Sequence, residues 1–211
     1  MEQGLEDYIL SHIDAEPASL HELYRDTHLQ LLYPRMCSGH LQGRILKMLT
    51  RMINPRHVLE LGTYSGYSSL CIAEGLTDAD AHIHTIEKDD ELEDFIRGHF
   101  SRSEYGDRIT LHIGDVEDVL PTIDGAFDLV FIDANKRHYP HYYEMVMPRV
   151  VSGGYIIADN TLWDGKVAED GVKTDAQTAG ILEFNEIVSR ESSVEKVILP
   201  IRDGLTLIRK K

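Results

Sequence analysis

The stretch "HVLELGTYSGYSSL", residues 57–70, runs from a short apolar segment through two glycines into a segment with helical character. Gly62 and Gly66 permit a tight turn and a close approach of the backbone, and the helix that follows offers unpaired amide groups at its N-terminus. A strand that enters a helix through such a turn is typical of the first unit of a doubly wound α/β sheet.

Outward from this stretch, short β-rich runs alternate with longer helical periods, which favours an α/β fold built as one Rossmann-like, seven-stranded sheet with helices on both faces. The last two β-rich runs are separated only by "IRDG", so the sheet should be mostly parallel with an antiparallel last strand. The predicted strands are 57–62, 82–87, 109–114, 127–133, 154–159, 194–200 and 205–210. The predicted helices lie near 19–32, 38–52, 66–75, 89–102, 138–149 and 176–190.

Length and composition set limits on the chain. Its 211 residues, 42% of them hydrophobic, suit a single domain over 1–211, in which extra N-terminal helices within 1–52 precede an α/β core at 53–211. No apolar run approaches the roughly 20 residues that a membrane span needs, and the N-terminus is acidic, so we expect a cytoplasmic protein without a membrane partner. Cys37 and Cys71 lack metal-ligand spacing and are expected to be free thiols.

The glycine turn indicates which cofactor binds. Glu87 ends the second strand about 20 residues beyond the turn, where a carboxylate accepts hydrogen bonds from ribose hydroxyls. The spacing Gly62-x-x-x-Gly66 departs from the three-glycine pattern of dinucleotide enzymes, and Glu60 would repel a pyrophosphate but could hold the cationic amino-acid end of S-adenosylmethionine, directly or through water. Asp115, after the third strand, is placed to meet the adenine edge. We therefore expect S-adenosylmethionine.

Polar residues end two further strands. The run "FDLVFIDANKRHY", 127–139, delivers Asp133 and Lys136, and "GGYIIADNTLW", 153–163, ends on Asp159 and Asn160. Because the carboxyl ends of neighbouring parallel strands meet at one edge of the sheet, these residues indicate one shared site.

Residues 34–211 resemble the cation-dependent class I O-methyltransferases, the bacterial type of the family that includes caffeoyl-CoA and catechol O-methyltransferases. The resemblance rests on "VLELGTYSGYSSL", "FDLVFIDANKRHYPHYYE", "GGYIIADNTLWDGKV" and "LPIRDGLTLIRK" in that order. It implies that Asp133, Asp159 and Asn160 bind a divalent cation, Mg²⁺ before Mn²⁺ or Ca²⁺, and hard cations do prefer such oxygen ligands. The implied acceptor is a small hydroxylated aromatic molecule with two adjacent oxygens.

The resemblance also implies roles for single residues. Lys136 resembles the general base, since a neighbouring cation and partial burial both favour the neutral amine that can accept a proton. Trp163 lies where the family's substrate loop begins, and residues from about 163 to 178 should shape the acceptor pocket. Members of the family are commonly homodimers, and the N-terminal helices are candidates for that contact. Arg202 stands where many relatives carry glycine. The residues expected to contact the cofactor are Met36, Glu60, Gly62, Ser68, Glu87, Asp115 and Asp133, with Ser38 matching a further pocket position.

Two other functions stay open. Some short bacterial relatives look like RNA enzymes, so the chain could instead methylate a 5-hydroxyuridine in transfer RNA. Nucleic acid would be a partner only in that case, and the net charge of -15 argues against it. A less favoured alternative is an NAD-dependent oxidoreductase.

Overall fold

The structure, a computed structural model, describes residues 3–169 and 175–211. Within these ranges the strands are β1 His57–Leu61, β2 His82–Glu87, β3 Ile109–Ile113, β4 Phe127–Ile132, β5 Val150–Asp159, β6 Val194–Leu199 and β7 Leu205–Lys210. The α-helices in the same ranges are α1 Gln3–Leu10, α2 Ala18–Gln30, α3 Gly39–Ile53, α4 Tyr67–Gly75, α5 Glu93–Arg102, α6 Val116–Val119, α7 Tyr139–Val146 and α8 Ala176–Arg190.

The strands of the described chain form one seven-stranded sheet in the order β3-β2-β1-β4-β5-β7-β6. Strands β1 to β5 pair in parallel, whereas β7 is antiparallel to both β5 and β6. The predicted mostly parallel sheet with an antiparallel last strand is therefore confirmed. The strand order reverses between β1 and β4, which is where ligands bind in open α/β sheets.

Alternate residues of the strands face two hydrophobic cores. Leu59 of β1 packs with α6, α7 and α8 on one face, whereas its neighbour Val58 packs with α2, α3, α4 and α5 on the other. This alternation is the direct result of the two-residue period of a strand. Helices therefore cover both faces, as expected.

The predicted and observed boundaries differ where a local bond or turn decides them. β1 ends one residue early, since Gly62 has a φ of 96° and leaves the strand direction. β5 begins at Val150, four residues before the predicted start, and runs through Gly153 and Gly154. The helix predicted at 138–149 is an α-helix only from Tyr139 to Val146, with 3-10 turns on both sides. Neither α1 nor the one-turn α6 was predicted.

In the described parts of the chain, no helix combines the length and apolar character needed to cross a membrane.

Candidate active site

The glycine turn after β1 allows the ends of β1 and β4 to lie against each other. Gly62 has a φ of 96°, and a Cβ atom there would lie 2.2 Å from the Asp133 carbonyl oxygen. Gly66 has a φ of 87°, and its Cβ would lie 2.5 Å from the Phe100 ring. Both positions therefore require glycine, because of backbone conformation and of space. The Asp133 amide also donates to the Leu61 carbonyl at 2.9 Å, which fixes the two strand ends side by side.

A narrow cleft opens beside this turn. Of the residues expected to contact the cofactor, Met36, Gly62, Ser68 and Asp133 line it, together with Ser38. Met36 is exposed at the lip of the cleft, whereas Ser38 and Ser68 are buried. The remaining lining residues, which carry hydroxyls, a thiol and backbone amides, are Cys37, Thr63, Tyr64, Ser65 and Tyr67.

Glu60 lies beneath the glycine turn and is completely buried. Its Oε2 atom accepts hydrogen bonds from the Ser69 and Thr85 hydroxyls; the Ser68 hydroxyl is close enough to lower the pKa of Glu60 as well, but Oε1 has no well-aligned hydrogen bond among the described residues. Burial raises the pKa of Glu60 to about 7. An unpaired buried carboxylate oxygen is costly, so Oε1 is an available acceptor for a donor on a bound molecule.

Glu87 is the last residue of β2, and Asp115 follows the neighbouring strand β3. The two Glu87 oxygens accept hydrogen bonds from the Tyr64 amide at 2.7 Å and the Asp89 amide at 2.9 Å. Each carboxylate oxygen has two lone pairs, so acceptor capacity remains for ribose hydroxyls. Asp115 is about half exposed and forms an ion pair with Lys88 at 2.9 Å. Asp115, like Glu60 and Glu87, is not among the residues that line the cleft, although Glu87 is bonded to the amide of the lining residue Tyr64.

The expected metal ligands lie at the ends of two adjacent strands: Asp133 follows β4, Asp159 is the last residue of β5 and Asn160 comes next. Asp159 is 4% exposed, and burial, followed by repulsion from Asp133, raises its pKa to about 6. Asn160 has a φ of 59°, and its amide donates to Asp159 Oδ1 at 2.8 Å. Two carboxylates that repel each other beside an amide form an oxygen-only donor set, which fits a hard divalent cation. Within the described ranges, no group of three or more His, Cys, Asp or Glu side chains is arranged to hold a metal ion. The expected ligand set has only two side chains of these types, Asp133 and Asp159, and its third member is an asparagine.

Lys136 begins the 3-10 turn Lys136–His138, three residues after Asp133. Its Nζ atom donates to Asp133 Oδ1 at 2.5 Å, and the side chain is only 11% exposed. The ammonium also lies 5.2 Å from the centre of the Tyr139 ring. The structure therefore brings the predicted base and the predicted metal ligands together, with Lys136 as the neighbouring positive charge.

Other parts of the site were not found from the sequence. Gln42 of α3 donates to Asp159 Oδ2 at 2.5 Å, although 117 residues separate them, and no local pattern signals this contact. Arg202 was singled out only as an unusual residue, and its guanidinium donates to the Cys37 carbonyl at 3.2 Å. Trp163 begins the 3-10 helix Trp163–Ala168, and part of the predicted acceptor loop, 170–174, lies outside the described residues.

Comparison with known proteins gives consistent similarities. Residues 10–211 match the sequence family described as O-methyltransferase. Caffeoyl-CoA O-methyltransferase of Petroselinum crispum is 31% identical over 98% of this chain and 90% of its own length. Catechol O-methyltransferase of Niastella koreensis is 30% identical over 79% of this chain and 78% of its own length. The crystal structure of the O-methyltransferase TomG of Streptomyces achromogenes, in complex with S-adenosylmethionine, has a TM-score of 0.91 at 27% identity and covers 100% of this chain and 99% of that one.

Proposed function

This chain belongs to the O-methyltransferase family, and we propose that it methylates a hydroxyl of a small catechol-like or other vicinal-oxygen acceptor with the help of a divalent cation. It is an S-adenosylmethionine-dependent O-methyltransferase of the caffeoyl-CoA and catechol type. The family assignment leaves no support for the NAD-dependent oxidoreductase. The observation that carries the proposal is that Asp133 and Asp159 lie at the ends of the adjacent strands β4 and β5, close enough for Asp133 to raise the pKa of Asp159, with Asn160 next in the chain.

The cofactor side of the proposal assigns chemistry to the residues that line the cleft and to three acidic residues outside its lining, Glu60, Glu87 and Asp115. Glu87 would accept hydrogen bonds from the ribose hydroxyls, and Asp115 would meet the adenine edge. The unpaired Oε1 of Glu60 would accept a hydrogen bond from the cationic amino group, directly or through water. Met36, Gly62, Ser68 and Asp133 would form the wall against the methionine portion, since all four line the same cleft.

The acceptor side of the proposal assigns roles to the residues at the ends of β4 and β5 and to Lys136. Bound S-adenosylmethionine supplies an electrophilic methyl group, and a divalent cation supplies positive charge that favours loss of a hydroxyl proton and orients the two acceptor oxygens. Asp133, Asp159 and Asn160 would hold that cation, for which Mg²⁺ is the first choice and Mn²⁺ or Ca²⁺ the alternatives. Lys136 Nζ would take the proton from the acceptor hydroxyl in its neutral form, which a cation held by Asp133 and the largely buried position of the side chain would favour.

The test is methyl transfer to catechol by metal-depleted enzyme. We expect EDTA to abolish transfer and added Mg²⁺ or Mn²⁺ to restore it, whereas S-adenosylhomocysteine, measured by calorimetry, should bind with or without metal. Full activity in EDTA would remove the cation from the proposal while leaving the methyltransferase assignment intact.

A second acceptor, 5-hydroxyuridine in transfer RNA, is kept because exposed basic residues lie next to the site. Arg35 precedes Met36, and Arg137 follows Lys136, so both are near the cleft mouth in sequence. The net charge of -15 opposes RNA binding overall. Undermodified transfer RNA assayed in parallel with catechol would separate the two: methylation of RNA with none of catechol would replace the small-molecule acceptor.

A further inference from the structure

The turn between β6 and β7 is bonded to both sides of the candidate active site. The Asp203 and Gly204 carbonyls accept hydrogen bonds from the Leu162 amide at 2.7 Å and the Thr161 amide at 3.1 Å, directly after Asn160. Arg202 of the same turn reaches the opposite side and donates to the Cys37 carbonyl at 3.2 Å. One turn therefore joins the segment after β5 to the segment that forms the lip of the cleft.

Gln42 connects these two sides inside the protein. It is 2% exposed, and its Oε1 atom faces the Arg202 guanidinium at 3.4 Å while its Nε2 atom donates to Asp159 Oδ2 at 2.5 Å. An arginine has donors only, so the Gln42 amide must turn its oxygen towards Arg202. The amide nitrogen is then left facing Asp159, which accepts the hydrogen bond when ionised. Arg202 and ionised Asp159 therefore favour the same orientation of the Gln42 amide, and Gln42 in turn helps to hold Asp159.

The carboxylate of Asp159 needs such support because it is buried beside another acid. Gln42 occupies one lone pair of Oδ2 and the Asn160 amide one lone pair of Oδ1, which together fix the rotation of the carboxylate. One lone pair on each oxygen remains available. The carboxylate is held in a single orientation without losing its capacity to bind a cation.

The backbone of Arg202 points to a specific use of its side chain. Its φ is 49°, in the left-handed region that favours glycine. A large side chain in this conformation is strained, and such strain persists where the surrounding structure makes use of it. The contacts with Cys37 and Gln42 are the use that the structure shows.

We propose that Gln42 and Arg202 are positioning residues that fix the Asp159 carboxylate and thereby set the affinity for the divalent cation. This inference rests on the proposed cation site. Neither residue touches the reacting atoms in this assignment. Their contribution should therefore be seen in cation binding, before any chemistry takes place.

The experiment is a Mn²⁺ titration followed by electron paramagnetic resonance, which measures free Mn²⁺ without turnover. Gln42→Leu should weaken Mn²⁺ affinity by about 10- to 100-fold, the usual effect of removing a partner of a metal ligand. Arg202→Asn, which suits a positive φ but cannot reach Gln42, should weaken it by about 3- to 10-fold. The matched control is Arg209→Asn, which removes a partly exposed arginine of β7 that pairs with Glu195 on β6 and should leave Mn²⁺ affinity unchanged.

Calorimetry with S-adenosylhomocysteine and thermal unfolding without metal complete the test. If the substitution only disturbs the structure, the unfolding temperature or the cofactor affinity should fall together with the Mn²⁺ affinity. If the residue positions Asp159, the Mn²⁺ affinity should fall while the other two quantities stay close to those of the wild type. If Gln42→Leu does not fold, Arg202→Asn decides the question, since Arg202 is exposed. Wild-type Mn²⁺ affinity in the folded variants would overturn this inference but not the cation site. A wild-type chain that binds no Mn²⁺ would instead overturn the cation site itself.

Discussion

At the scale of single residues, Lys136 can act as a proton acceptor or as a counter-charge for Asp133. Both roles agree with its 2.5 Å contact to Asp133 Oδ1 and with its low exposure. The two roles differ in whether an arginine at this position could replace the lysine. Arginine preserves the positive charge and donates to a carboxylate, but it does not give up its proton in a protein. Substitution by arginine therefore separates the two roles.

We expect Lys136→Ala to lower kcat for catechol methylation by about 10²- to 10⁴-fold, the usual contribution of a positioned base. Activity should recover partly at high pH, where the acceptor hydroxyl loses its proton without help. Lys136→Arg should be as slow as Lys136→Ala. Steady-state kinetics over a pH series measures both variants, and calorimetry should show unchanged cofactor binding. A Lys136→Arg enzyme with normal kcat would identify the lysine as a counter-charge only.

At the scale of elements, the glycine turn between β1 and α4 combines two demands, backbone conformation and space. Gly125, before β4, offers a matched comparison, because its φ of 94° is close to the 96° of Gly62. A Cβ atom at Gly125 would meet no atom within 4 Å, whereas one at Gly62 would lie 2.2 Å from the Asp133 carbonyl oxygen. The two alanine variants therefore share the backbone cost but differ in the clash.

Gly125→Ala should lower the free energy of unfolding by about 1–2 kcal/mol, the cost of a left-handed alanine. Gly62→Ala should lower it further and also weaken S-adenosylhomocysteine binding, because Asp133 must move away from the turn. Denaturant unfolding and calorimetry measure the two effects. Equal losses of stability, with normal cofactor binding in both variants, would show that the turn tolerates the added methyl group.

A pH-sensitive cluster of histidines lies on β2 and β3, at one edge of the same sheet. His84 Nδ1 and His112 Nε2 lie 3.0 Å apart, and His82 Nε2 lies 2.7 Å from the Thr110 hydroxyl. Burial, reinforced by the neighbouring histidines, lowers the pKa of His84 to about 4 from its usual 6.5. The unfolded chain therefore binds more protons than the folded one between these values. The contribution of neutral His84 to stability is present above pH 6.5 and is lost as the pH falls towards 4.

We expect His84→Gln to reduce the loss of stability on acidification, since glutamine does not titrate. The measurement is the free energy of unfolding of both proteins at several pH values between 7 and 4. Thr110→Val perturbs the same cluster without removing a titrating group and should follow the pH dependence of the wild type. If the His84→Gln and wild-type curves stay parallel, His84 does not contribute to acid sensitivity.

At the scale of the whole molecule, the N-terminal helices α2 and α3 pack side chains into the hydrophobic core and also expose apolar residues on their outer surface. Leu20 and Leu23 of α2 are completely buried in the same cluster as Val58 and Leu129 of the sheet, which supports the proposal of one domain. On α3, Met48 and Met52 are 54% and 73% exposed and lie one turn apart. An exposed apolar strip of this kind is suited to contact with a second copy.

We therefore propose a homodimer formed through the N-terminal helices, with a solution mass of twice 24.0 kDa in light scattering after size exclusion. The double variant Met48→Lys and Met52→Lys should elute as a monomer, because burying unpaired charges in an apolar interface is strongly unfavourable. Val197→Lys with Ile198→Lys, on the exposed edge strand β6, is the matched control and should stay dimeric. Dissociation of the β6 variant alone would place the interface at the sheet edge.

Across these scales, the sequence by itself determined the features that depend on neighbouring residues. The two-residue alternation in the strands, the glycine turn at 62–66 and the polar tips at Asp133 and Asp159 predicted the sheet and the edge where the site lies. These signals are local, since the burial pattern of a strand and the conformation of a turn depend on residues that are adjacent in sequence. The helices α1 and α6 were not predicted, because such short segments show no clear helical period of apolar residues.

Only the tertiary structure decided how distant residues complete the site. Gln42 and Asp159 are separated by 117 residues, and Arg202 and Cys37 by 165, so no window of sequence contains either pair. Thr85 reaches Glu60 because β2 pairs with β1 in one particular register, which places Glu60 opposite Thr85. Hydrogen bonds act over about 3 Å. Residues far apart in sequence therefore acquire these partners only when the packing of helices and strands brings them within that distance.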